Sequence, residues 1–187
     1  SSAASDVYKR QVKDTIEISA RVAATGATNE KLYASTEQTL RFATLGQMDY
    51  NNALDTTIAM QTAFGISSDQ LGTKVDYLNA VENQTILTME DMSLAIPRVA
   101  TVVKGLGGNM EDLTVMMTAM REGGVSAENA ANALKSGLAS MINPTKNATN
   151  FLSQLGINLK GIVETNKGDL IGTIITFGQE LDKLSSF

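Results

Sequence analysis

Apolar residues along this chain recur three and four positions apart, and nearly every such stripe is halted by glycine. From position 28 onward each stripe carries its own start and stop signals. Thr28 is placed to cap a helix with Glu30 in its first turn, and Leu32, Thr36, Leu40 and Ala43 then share a face until Gly46. Asp49 caps a second, which runs through Leu54 and Ile58 to Phe64, with Gly65 at its stop. Ser68 opens a third, in which Leu71, Val75, Leu78 and Val81 form one apolar face. In the fourth, Thr88 precedes Met92, Ile96, Val99, Val103 and Leu106, and Asp91 stands three residues after the cap. Pro97 falls well inside this helix, where it removes the amide that would reach the carbonyl of Ser93 and predicts a kink.

The run Gly105–Gly108 ends that helix, and Asn109 caps a fifth, with Glu111 and Asp112 favourably placed at the positive end of its dipole. Met110, Leu113, Met117 and Met120 line one side of it, up to Gly123. Ser126 caps a sixth helix whose expected inner face is mostly small: Ala130, Ala133, Leu134, Gly137, Leu138 and Met141. Asn143 and Pro144 end it, because the residue before proline is driven out of the α region. A shorter helix carries Phe151, Leu152 and Leu155 before Gly156. Asn158 to Asn166 reads as a small β-hairpin containing Ile162 and Val163, with its turn between Asn166 and Gly168. A last helix from Asp169 carries Leu170, Ile174, Phe177, Leu181 and Leu184. Short connections between such helices favour antiparallel or orthogonal neighbours. The expected fold is therefore all-α, a compact bundle of about seven to nine short helices with Gly-terminated turns and one small hairpin near 158–168.

Composition narrows the chemistry. The 187 residues suffice for one domain with a real core, and no boundary is expected between 12 and 187. Charged residues are 19%, below the level of about 25% usual in soluble domains, so Ser, Thr, Asn and Gln must carry much of the surface. The net charge of -5 gives no electrostatic basis for gripping a phosphate backbone, which argues against direct nucleic-acid binding. Cysteine and histidine are both absent, which removes the thiol nucleophile, the commonest general base and the commonest metal ligand. Leu170–Phe177 and Ala95–Val103, the longest apolar stretches, are interrupted by Gly172 or by Pro97 and Arg98 and are too short to cross a bilayer. No export signal is visible in this piece.

The remaining constellations read as architecture. Gly105–Gly108 follows a helix and completes neither a dinucleotide fingerprint nor a P-loop, so it is read as a turn. Glu90 with Asp91 and Glu111 with Asp112 resemble paired carboxylates, yet each pair sits in a first helical turn where acidic residues serve the dipole. Two Asn-x-Thr triplets begin at Asn83 and Asn147, a pattern frequent by chance. Met116, Met117 and Met120 can make an adaptable docking surface, but their helical spacing favours the core. No catalytic, metal-binding or cofactor-binding residue is expected, and the chain reads as a non-enzyme.

The first eleven residues, Ser1 to Gln11, resemble the in-frame translation of a sequencing-library adapter. On that reading the natural sequence starts at Val12 in mid-gene. The apolar pattern is still running at the last residues, so the C-terminus also reads as cut.

The order of features resembles the helical core of bacteriophage tail tape measure proteins. Phe42–Leu54, Ala63–Thr85 and Leu87–Thr145 follow one another in that family's order, with a Gly-Ile-Ser junction at Gly65, Ile66 and Ser67. The likeness includes mid-helix Pro97, Gly123–Gly124 before the small-residue helix, and Asn143-Pro144-Thr145 after it. The Phe151–Ile157 run comes next, and the resemblance covers about Gly26 to Phe187. Val125 stands where larger insertions or other small residues are common, and the long coiled and membrane-active regions of full-length members are absent. The resemblance implies a structural role in the virion: setting tail length inside the growing tube and leaving with the genome at ejection. It implies tail tube subunits, tail assembly chaperones and other copies of the chain as partners, and residence in the tail lumen after assembly in the host cytoplasm. The glycine stops imply a folded module that must open before it can be threaded along a tube. A host-encoded helical protein-binding module sharing the same punctuation is the alternative, and the reading frames on either side of the gene would tell the two apart.

Overall fold

A computed structural model of the chain describes the backbone of residues 2–24, 26 and 28–184, with side chains from 12 onward apart from Asn29. Among the described residues there are ten helices and no strand. They are α1 (Ser2–Ala23), α2 (Asn29–Leu45), α3 (Tyr50–Thr62), α4 (Ser68–Gln84), α5 (Met89–Gly105), α6 (Met110–Glu122), α7 (Ala127–Ile142), α8 (Lys146–Gln154), α9 (Leu159–Thr165) and α10 (Leu170–Leu184). The all-α expectation stands, with ten helices rather than seven to nine. The side chains of the adapter-like segment 1–11 lie outside the described residues; α1 contributes Ile18 and Val22 to the core.

The contacts divide the chain into two compact units, Ser1–Pro97 and Arg98–Phe187, where the sequence alone suggests no boundary after residue 12. The division falls inside α5, at its proline.

In the first unit α2 packs against α1, α3 and α4. Ile18, Val22 and Leu54 form a buried cluster, with Leu32, Leu40, Tyr50 and Ile58 partly buried against it. Phe42, Met60, Leu71, Val75 and Leu78 are buried as well. The helix starts follow from local chemistry. The Asp49 carboxylate accepts the Asn51 N–H at 2.8 Å. Thr88 and Asp91 form a reciprocal box, with Asp91 N–H on Thr88 Oγ1 at 3.0 Å and Thr88 N–H on Asp91 Oδ2 at 3.2 Å. Two starts differ from expectation. Thr28 precedes α2 without a side-chain capping bond. The cap of α4 is Ser67, whose N–H donates to Gln70 Oε1 at 3.1 Å, while Ser68 turns inward and is buried.

In the second unit α6 packs on α7, and α9 packs on α7 and α10. Asn109 and Asp112 exchange side-chain-to-backbone bonds of 2.9 Å each at the start of α6. Met110, Leu113, Met116 and Met117 are buried and Met120 is half-buried, so most of the methionine stripe is core. The Gly105–Gly108 turn closes α5 through Gly107 N–H to Lys104 O and Gly108 N–H to Val103 O, both at 2.9 Å. Gly107 has φ of 83°, and a Cβ there would stand 2.6 Å from Gly168 Cα, so two turns meet backbone to backbone.

The hairpin expected over 158–168 is absent; that stretch is α9. Asn158 Oδ1 accepts the Gly161 N–H at 3.0 Å and starts a helix, and Leu159 is buried. Ile162 and Val163 suggest β structure by residue type, but they are only half-buried and lie on a seven-residue helix held by α7 and α10. Tertiary packing overrides a weak β preference in so short a run.

Candidate functional surfaces

The carboxylate pairs are helix-start devices. Asp91 and Asp112 accept backbone N–H groups at the caps of α5 and α6, and Glu90 is exposed beside the first of these. Among the described residues no cluster of three or more acidic side chains is arranged to hold a metal ion. No described helix is long and apolar enough to cross a membrane.

A buried seam of hydroxyl and amide groups joins α2, α3 and α4. Ser35 Oγ donates to Ser68 Oγ at 3.0 Å. The Gln61 amide donates to both, at 3.2 Å and 3.1 Å. One turn along, the Thr39 and Thr57 hydroxyls meet at 2.8 Å, and both residues are buried. Each such bond contributes only about 0.5–1.5 kcal/mol net, because water offers equivalent partners in the opened chain. Their value lies in register, since a slipped helix would strand buried polar groups. Composition alone assigns Ser and Thr to the surface, and so misses this seam. The buried face of α2 includes Ser35, Thr39 and Phe42, rotated by part of a turn from the stripe drawn through Leu32 and Leu40. Ser35, Thr39 and Phe42 stand at i, i+4 and i+7, and the large residue closing that row was the available signal. Thr36 Oγ1 is buried with no hydrogen-bond partner.

The second unit carries an open apolar groove of about 300 Å³, lined by Ala133, Leu134, Gly137, Met141, Leu152 and Phe177 among others. Ala130 and Leu138 go inside as expected, whereas Ala133 and Gly137 remain exposed along this groove. Helix α8 buries none of its residues, and Phe151 on it is 62% exposed. A second groove, of about 450 Å³, lies in the first unit between α1 and α2, with Thr15, Ser19, Leu32, Tyr33, Thr36 and Leu40 on its walls. Surface ion pairs join Arg21 to Asp55 at 2.6 Å, Arg41 to Asp76, and Arg98 to Glu128 at 3.6 Å. All are well exposed and contribute little, about 0–1 kcal/mol each.

Among the described residues the acidic pairs lie at helix starts and the buried hydroxyls fix register, so both serve the architecture of an all-α protein. The chain belongs to the phage-related minor tail protein family, whose model matches residues 2–186. Among its relatives is a probable tape measure protein of Escherichia phage P2, 28% identical over 138 residues, which are 73% of this chain and 17% of that protein. A tape measure protein of Pneumococcus phage Dp-1 is 26% identical over 96 residues, 51% of this chain and 8% of that protein. The matched region thus spans less than a fifth of either relative. No solved structure matches the chain. The family sets its broad role as a structural component of the phage tail.

Proposed function

We propose that this chain is a segment of a tape measure protein, acting in tail assembly and in setting tail length, and leaving the tail when the genome is ejected. The observation that carries this reading is the family match across residues 2–186, supported by two relatives that bear the tape measure name. The partners that fit are tail tube subunits, tail assembly chaperones and other copies of the chain, with the protein in the tail lumen after assembly in the host cytoplasm. Its role is mechanical and non-catalytic. Residues 1–11 are read as adapter-derived, and unrelated codons beneath them would overturn that part.

The physical basis of a ruler is the helical rise of about 1.5 Å per residue, so reach scales with residue count. Chain reversals at the glycine stops keep these helices short, and the segment contributes reach only when its units open. An in-frame duplication of residues 12–187 in a phage carrying this gene tests the reading. Electron microscopy should show tails longer by up to about 260 Å if the duplicate is extended as helix. Normal-length tails on infectious particles would refute it.

A further inference from the structure

Pro97 has no N–H, so the Ser93 carbonyl one turn earlier in α5 loses its helical partner. Ser93 is buried at 7% exposure, which limits access of water to that oxygen. The Thr56 hydroxyl on α3, fully buried, reaches across and lies 3.1 Å from Ser93 O. The same hydroxyl lies 2.7 Å from Asn52 O, one turn back in its own helix. It has one proton and faces two carbonyls. Asn52 O is the ordinary intrahelical acceptor for a threonine at this position, whereas Ser93 O is the one that lacks a helical donor.

The other threonine contact of α3 has the same construction. Thr57 and Thr39 meet across the α2–α3 seam, yet Thr57 Oγ1 also lies 3.1 Å from Leu54 O and Thr39 Oγ1 lies 2.8 Å from Ser35 O. Each threonine hydroxyl facing this seam therefore has an acceptor within its own helix to fall back on. Withdrawing α3 leaves none of these three hydroxyls without a partner and exposes the Ser93 carbonyl to water, which can solvate it.

We propose that α3 is the release element of the first unit, held on α5 by a Thr56–Ser93 latch that Pro97 creates, and that the unit opens there first. This rests on the reading that the segment gives up its folded form in the tail, and it supplies the place where opening begins.

Native-state hydrogen exchange of the full chain at low denaturant, read by mass spectrometry, tests it. In the unaltered chain α3 should exchange through a smaller opening than α4. Thr56→Val should speed exchange over α3 and residues 89–97 by roughly tenfold, the cost of leaving a buried carbonyl unpaired. In a Pro97→Ala background the same change should give less than about a twofold effect, because an alanine at that position returns an N–H to Ser93 O. Thr56→Ser should behave as the unaltered chain. An α3 that exchanges no earlier than α4, or a Thr56→Val effect of equal size in both backgrounds, overturns the latch. Should Thr56→Val fail to fold, the exchange order in the unaltered chain still decides. Normal tail length in the duplication experiment would refute the ruler and leave the exchange order standing, so the two failures are distinguishable.

Discussion

The two units differ mainly in the polar side chains they bury. Ser35, Thr36, Thr39, Thr56, Thr57, Ser68 and Ser93 are buried in the first, against Thr114 and Thr173 in the second. Large apolar side chains stay exposed in both, among them Ile16, Tyr33 and Ile86 in the first and Val115, Phe151 and Ile175 in the second, where α8 buries nothing. A hydroxyl seam specifies which helix faces which at small net energy, because water replaces each bond on opening. Apolar burial holds harder but specifies less, and what it leaves exposed is free to meet other surfaces. Both units have an apolar centre, and the first adds hydroxyl pairs that fix the register of its helices.

Substitutions can break or sharpen this contrast, and the largest effect is expected at the apolar centre of the first unit. Phe42, fully buried, should cost about 3–5 kcal/mol as Phe42→Ala in urea denaturation, showing that the hydroxyl seam decorates an apolar core and does not replace it. Next comes Gly107→Ala in the second unit. A left-handed backbone costs a side chain about 1–2 kcal/mol, and contact with Gly168 Cα adds displacement of a neighbouring turn. A loss of about 2–4 kcal/mol, read from the same denaturation curves, is expected. The seam itself ranks third. Thr39→Val or Thr57→Val alone should each cost about 0.5–1.5 kcal/mol by removing the bond across the two helices, and the double variant should cost clearly less than the sum. Strict additivity in that cycle would mean the seam carries no coupling. The smallest effect is expected at the exposed end: Phe151→Ser should shift stability by less than about 0.5 kcal/mol in either direction. A large loss there would show that α8 is held more firmly than its exposure indicates.

Much of the fold was legible because capping and termination are local. Asp49, Thr88, Asn109 and Ser126 start helices where short-range hydrogen bonds require them to, and the glycine stops follow from backbone freedom within a few residues. The stripe from Met92 to Leu106 is buried throughout. The failures occur where a distant partner decides. The Ile162–Val163 pair looks like strand until α7 and α10 are seen to hold it as helix. Ala133 and Gly137 look internal by spacing, yet no described helix covers them. The hydroxyl seam was invisible because a serine or threonine reads as surface unless a partner across the interface is known.

The sequence by itself determined that this chain is helical, where most helices begin and end, and that histidine and cysteine chemistry is unavailable to it. It also carried the ordered resemblance through which the family was recognised. Only the tertiary structure decided which face of α2 turns inward, that Thr56 reaches the carbonyl freed by Pro97, and that Gly107 meets Gly168. The reason is range. Backbone propensity and capping act over a turn or two of one helix, whereas the pairing of Ser35 with Ser68 or Thr39 with Thr57 depends on how separate helices are brought together.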